Sequence, residues 1–185
     1  YSSFLQRAYD QIVHDIALQN IPVVFAVDRA GIVGSDGPTH HGLFDLSYLR
    51  NIPGVAIFSP KDENELQHMI YSATKHKSGP IIVRYPRGAG FGVKMDKELK
   101  EIKIGKAEKL AEGKDLTILA IGTMVHIAQE AVEKLQREGY SVALYNARSI
   151  KPIDVSMVKD AAKTGKVLTV EENVLEGGFG SAILE

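Results

Sequence analysis

The chain has 185 residues, 44% of them hydrophobic, and its 22 Lys and Arg nearly balance its 23 Asp and Glu, leaving a formal charge of −1. That length suits one large domain or two modest ones with a packed core, and the near-neutral charge excludes the basic footprint of a nucleic-acid binder or a membrane-surface arm. Cysteine is absent, which excludes disulfides, thiolate metal sites and a Cys nucleophile.

From Tyr1 onward, Leu5, Ala8, Ile12 and Ile16 recur at helical spacing, and Ser2 or Ser3 is available as the N-cap. Residues 22–27, Pro-Val-Val-Phe-Ala-Val, form a continuous apolar run that predicts a strand covered on both faces. Ser59-Pro60 predicts the start of a second helix, with Leu66, Met69, Ile70 and Ala73 as its buried stripe. Ile81-Ile82-Val83 follows as a buried strand. Closely spaced Gly88, Gly90 and Gly92, then a mostly charged run to Lys114, predict an exposed connection. Beyond it come a strand over 116–120 and a helix capped by Thr123 that carries Ile127, Ala131 and Leu135 and ends at Gly139. Strands over 141–145 and 167–170 complete the pattern.

Alternation of helix and strand throughout predicts an α/β fold built as two successive, mainly parallel sheet units. The units are expected at residues 1–92 and 115–185, with the connection over 93–114. Each has few strands, so an open sheet edge is expected. The chain opens at Tyr1 without Met and stops at Glu185 as a helix pattern begins, which predicts a piece of a longer polypeptide. No apolar run approaches the ~18 residues of a membrane span, and no charged-then-apolar leader is visible, so the cytoplasm is the expected compartment.

The stretch from Asp28 to Gly42 leaves the carboxyl end of a predicted strand, where open α/β sheets place ligands. It holds Arg29, Asp36, His40 and His41 among glycines that permit close backbone approach. A long loop there is either a site or a Gly-rich surface loop with a turn at Asp36-Gly37. The adjacent imidazoles lack accompanying ligand spacing, so no metal site is assigned. Arg84 and Arg87 end the 81–83 strand; if that strand runs parallel to the first, both emerge beside Arg29 as a phosphate or carboxylate site. The alternative is that each ends a strand in solvent. Gly177-Gly178-Phe179-Gly180 matches neither phosphate-binding fingerprint, and close helix-to-strand packing accounts for it better. Glu171-Glu172 is either catalytic or, as is commoner at strand ends, a solvated pair of carboxylates.

These same segments carry a resemblance. Tyr1 to Gln11, Asp28 to Gly34, Asp36-Gly37, Thr39-His40, Gly42, Phe44 to Arg50, Ser59-Pro60, Asp62 to Glu65, Arg84 to Gly88, Val170 to Asn173 and Gly177-Gly178 occur in order at consistent spacing. Together they resemble the 1-deoxy-D-xylulose-5-phosphate synthases, a thiamine-diphosphate-dependent, transketolase-like family. The resemblance implies the latter part of a pyrimidine-binding domain followed by most of a C-terminal domain. It implies condensation of pyruvate with glyceraldehyde 3-phosphate, with decarboxylation, in isoprenoid-precursor, thiamine and pyridoxal phosphate biosynthesis, by a homodimer.

By the same resemblance, Phe4 stacks on the aminopyrimidine and Arg7 lies near the cofactor. Arg29 and Arg87 bind the acceptor's phosphate with Tyr1 nearby, and Asp36 and His40 contact the substrate, His40 handling protons. His41 departs from the Gln common in the family. The activating Glu, the diphosphate site and the Mg²⁺ ligands of the family lie upstream, so the chain is expected to be inactive alone. Two alternatives stand beside this reading: another member of the transketolase superfamily, or a non-catalytic dimerisation module.

Overall fold

The computed structural model describes residues 1–185, which build two four-stranded sheets. The first has the order β1 (Val24–Val27), β3 (Ile81–Arg84), β2 (Ala56–Phe58), β7 (Ser149–Lys151). The second has the order β4 (Glu108–Ala111), β6 (Val142–Asn146), β5 (Leu116–Ala120), β8 (Val167–Val170). In each sheet three strands run parallel and one edge strand, β7 or β4, is antiparallel. The expected α/β architecture of two mainly parallel sheets is what the chain adopts.

Central strands β2 and β3 are buried along their whole length, as continuous apolar runs require. Strand β1 differs from its expectation: it is an edge strand, and Val24 and Ala26 remain exposed. The opposite edge of this sheet is covered by β7, three residues that sequence patterning missed. Strand β7 follows β6 in the chain yet crosses to pair with β2.

Helix starts also shift. The first helix begins at Ser2 as α1 (Ser2–Leu5), tightens over residues 6–8 and widens to π-helical turns over 11–17. The wide turns bury Ile12 and Ala17, five residues apart, in place of a regular 3.6-residue stripe. After the short helix α2 (Asp45–Leu49), helix α3 (Glu63–Lys75) is capped by Asp62, whose carboxylate accepts the Glu65 N–H at 2.7 Å, and not by Ser59. Helix α4 (Met124–Arg137) buries Val125, Ala128 and Val132, while the expected core residue Ile127 is 56% exposed. Two shorter helices, α5 (Val155–Ala161) and α6 (Phe179–Leu184), complete the second unit.

The expected exposed connection is strapped along α3. Glu63 accepts the N–H groups of Phe91, Gly92 and Val93, Asn64 accepts that of Asp96, His68 Nδ1 that of Lys100, and Ser72 Oγ that of Ile102. One helix face thus satisfies a backbone that has no sheet partner until β4.

The two units share one interior. A single cluster of 17 buried residues includes Leu46, Ile57 and Ile82 from the first and Leu119, Ile121, Tyr145 and Phe179 from the second. Beside it lies a buried ionic junction. The Glu65 carboxylate, 3% exposed, accepts from Arg148 Nε at 2.7 Å, from Asn146 Nδ2 at 2.9 Å and from the Lys61 backbone N–H at 2.8 Å. Glu108 joins it, accepting from Lys61 Nζ at 2.9 Å and pairing with Arg148 Nη2 at 3.2 Å. Burial alone would raise the Glu108 carboxyl, but Lys61 and Arg148 hold it below its ordinary range.

Candidate active site

Parallel register brings the two strand ends together. Val27 of β1 lies opposite Arg84 of β3, and the ladder continues past both as Tyr85 N–H donates to Val27 O and Ala30 N–H to Tyr85 O. Arg29 and Arg87 therefore leave the sheet on the same edge. Asp36 sits between them, 3.1 Å from Arg87 Nε and 3.8 Å from Arg29 Nε. Arg29 also pairs with Asp28 at 2.5 Å, a hydrogen bond that raises its pKa further and keeps it a permanent cation. Its backbone is left-handed, at φ 57°, a conformation that costs a non-glycine residue about 1 kcal/mol or more and is typical of ligand clamps.

Arg84 does not join them. It is buried, and its Nε donates to the buried Asp45 carboxylate at 2.9 Å. Of the two arginines at this end of β3 only Arg87, beyond the last paired residue, lines the cleft.

The aromatic part of the site comes from the first helix. The Tyr1 and Phe4 rings are 4.7 Å apart, and His40 meets Phe4 edge-on at 5.4 Å and Tyr1 at 6.0 Å. The Arg29 guanidinium lies 4.7 Å from the Tyr1 ring centroid and Arg7 lies 5.0 Å from that of Phe4. The seven residues to which the resemblance gives site roles, Tyr1, Phe4, Arg7, Arg29, Asp36, His40 and Arg87, thus form one contiguous group, without the Arg84 that the strand-end reading had placed beside Arg87. Arg87 also lines a cleft of about 580 Å³ between the units, bordered by Phe91, Ile127 and Glu172.

The loop that carries Asp36 and His40 is fixed at several points the sequence did not reveal. Gly31 and Gly42 exchange backbone hydrogen bonds at 2.8 and 2.9 Å and close its base. His41 Nδ1 accepts the Val33 N–H at 3.2 Å, so the second imidazole faces the loop's own backbone. Ser3, expected as a cap, instead donates its hydroxyl to His40 O at 2.6 Å. His40 Nδ1 is 2.9 Å from Thr39 Oγ1, and its Nε2 has no protein partner. The carboxylates at the end of β8 are both engaged: Glu171 accepts the Phe179 and Gly180 N–H groups at the start of α6, and Glu172 accepts from Ile32 N–H and Thr123 Oγ1. No group of three or more His, Cys, Asp or Glu side chains is arranged to hold a metal ion, and no helix is long and apolar enough to cross a membrane.

Residues 1–91 match the family described as the transketolase pyrimidine-binding domain, and residues 105–185 match the transketolase C-terminal domain. The chain belongs to the transketolase family, as these two domains in succession. Within that class, over its whole length, it is 58% identical to the 1-deoxy-D-xylulose-5-phosphate synthase of Halalkalibacterium halodurans. It is 59% identical to 1-deoxy-D-xylulose-5-phosphate synthase 1 of Geobacter sulfurreducens and to the synthase of Heliobacterium modesticaldum. The chain spans 30% of the length of the first of these relatives and 29% of the other two. A solved split-gene transketolase, titled an inactive β4 tetramer, superposes with a TM-score of 0.87 at 31% identity, over 99% of this chain and 59% of that one.

Proposed function

We propose that this chain is the pyrimidine-binding and C-terminal portion of a transferase that joins pyruvate to glyceraldehyde 3-phosphate, with loss of carbon dioxide, giving 1-deoxy-D-xylulose 5-phosphate. One observation carries the reading: Arg29 and Arg87 converge on Asp36 directly beside the Tyr1–Phe4–His40 aromatic group. A phosphorylated aldehyde needs two such neighbourhoods, cations for its phosphate and a ring-lined wall at its reacting end.

In this reading Arg29 and Arg87 bind the phosphate through forked N–H donors, and the Tyr1 hydroxyl adds another donor. Asp36 keeps both guanidiniums aimed while the phosphate is absent. His40, with Nδ1 held by Thr39, uses Nε2 to hold or give a proton at the acceptor's oxygen. Phe4, half-exposed with Arg7 over its ring, offers the flat face that an aminopyrimidine stacks on. Thiamine diphosphate, when bound, supplies the nucleophilic carbon and the electron sink for decarboxylation. The donor set here suits the pyrimidine ring, and we assign the diphosphate and Mg²⁺ to residues beyond these 185. The same reading makes the working protein a cytoplasmic homodimer that feeds isoprenoid-precursor, thiamine and pyridoxal phosphate synthesis, and leaves the isolated chain inactive.

The test compares the parent polypeptide with the isolated chain, each given thiamine diphosphate, Mg²⁺, pyruvate and glyceraldehyde 3-phosphate. Mass spectrometry should find the five-carbon phosphorylated ketose with the parent only. A parent protein that turns over pyruvate equally well with an unphosphorylated aldehyde would overturn the reading.

A further inference from the structure

We infer that Glu172 is a positioning residue for the acceptor half of the site, acting from the second unit on the loop that carries Asp36 and His40. Glu172 follows β8, yet its side chain crosses to the first unit, where Oε1 accepts the Ile32 N–H at 3.2 Å. Its other oxygen, Oε2, accepts the Thr123 hydroxyl at 3.0 Å. That second bond explains why Thr123, at the start of α4, makes no capping bond to its own helix. The carboxylate is therefore clamped between the N-terminal end of α4 and the base of the loop.

Gly31 records how close this approach is. A Cβ at that position would lie 2.8 Å from the Glu172 carboxylate, and the backbone there is left-handed at φ 79°. The next residue along is the one whose N–H the carboxylate holds. From the Gly31–Gly42 bridge the chain makes an excursion that contains Asp36 and His40, so its root direction sets where both side chains stand. Removing the clamp frees the Ile32 N–H and lets that root rotate. Arg29, between Val27 and Ala30 that both bond to Tyr85, and Arg87, just past the end of β3, follow the sheet edge and not this root, so they stay in place while Asp36 leaves them.

This inference rests on the proposed acceptor chemistry for its kinetic consequence, but not for its structural one. In the parent protein, Glu172→Ala should raise the KM for glyceraldehyde 3-phosphate roughly tenfold, the equivalent of one lost charge-assisted hydrogen bond. The KM for pyruvate and the affinity for thiamine diphosphate should not move. Glu172→Gln should keep the acceptor KM within about twofold of the parent, since its carbonyl still accepts from Ile32 and the Thr123 hydroxyl rotates to accept from the amide. Amide hydrogen exchange of residues 31–42 should rise in Glu172→Ala and stay low in Glu172→Gln, a readout that needs no turnover. If Glu172→Ala does not fold, Thr123→Val reads the same effect at smaller amplitude, about threefold on the acceptor KM.

Unchanged exchange over residues 31–42 in the Ala variant would overturn the inference. So would equal damage to pyruvate and acceptor kinetics, or a Gln variant as impaired as Ala. Should the parent protein prove not to use glyceraldehyde 3-phosphate while the exchange pattern appears, the acceptor assignment fails and the clamp stands.

Discussion

Asp36 is the carboxylate the two arginines share: it pairs with Arg87 at 3.1 Å and lies 3.8 Å from Arg29, which Asp28 holds separately at 2.5 Å. In the proposed reading, the acceptor's phosphate meets arginines already oriented and exchanges one anionic partner for another. Arg87, 42% exposed, makes its only ion pair with Asp36, so its removal should touch the acceptor more than the fold. In the parent protein, Arg87→Ala should raise the KM for glyceraldehyde 3-phosphate by roughly 10- to 100-fold, and Arg87→Lys should recover only part of it, because an ammonium cannot form the forked pair. Steady-state kinetics with each substrate varied separately checks this. In the same reading Phe4 belongs to the cofactor half of the site. Phe4→Ala should weaken thiamine diphosphate binding by roughly tenfold, measured by calorimetric titration, through loss of the stacking face.

Among elements, α5 shows how a short helix is set in place by one carboxylate. Asp154 accepts the Ser156 N–H at 2.9 Å and the Ala107 N–H at 3.0 Å, tying the helix start to the chain that enters β4. Burial raises this carboxyl, but Ser156, the Ala107 N–H and Lys106 outweigh it and hold its pKa at about 2. A folded-state pKa below the unfolded value of about 4 means that the group stabilises the fold above pH ~4, and that this contribution disappears as pH falls to about 2. Asp154→Ala should therefore cost about 1–2 kcal/mol near neutral pH. The gap from the unsubstituted protein should close between pH ~4 and ~2, as read from denaturant unfolding across that range.

At the scale of the whole molecule, the two sheet units are packed as one body. The shared cluster, the β7–β2 pairing and the Glu65 junction all cross between them. Removing one partner of a buried ion pair leaves the others without a counter-charge, so Glu65→Ala should cost about 3–5 kcal/mol. Scanning calorimetry should then show the single unfolding transition broaden or split as the units uncouple. The Glu172 clamp belongs to this scale too, since it makes the geometry of a loop in the first unit depend on the docking of the second.

The amino-acid sequence by itself determined the α/β class, the two-unit order and five of the eight strands; it missed the short antiparallel edges β4 and β7 and the three-residue central strand β2, whose Ala56–Phe58 run is too brief to stand out as a pattern. It also pointed to the strand-end cations, the glycine-rich loop and the aromatic helix start as candidates, because these are local signals, and the family resemblance gave seven of these residues a role to test. It did not determine which arginine of the 84/87 pair reaches the cleft, since that turns on where pairing with β1 stops and on a buried Asp45 that is 39 positions away. Nor could it show β7 crossing to the first sheet, Ser3 and His41 holding the loop, or Glu172 reaching it across 140 residues of chain. Periodicity and caps are written into neighbouring residues, whereas partners for buried charges and unpaired amides are chosen only when distant segments pack, and only the tertiary structure could decide them.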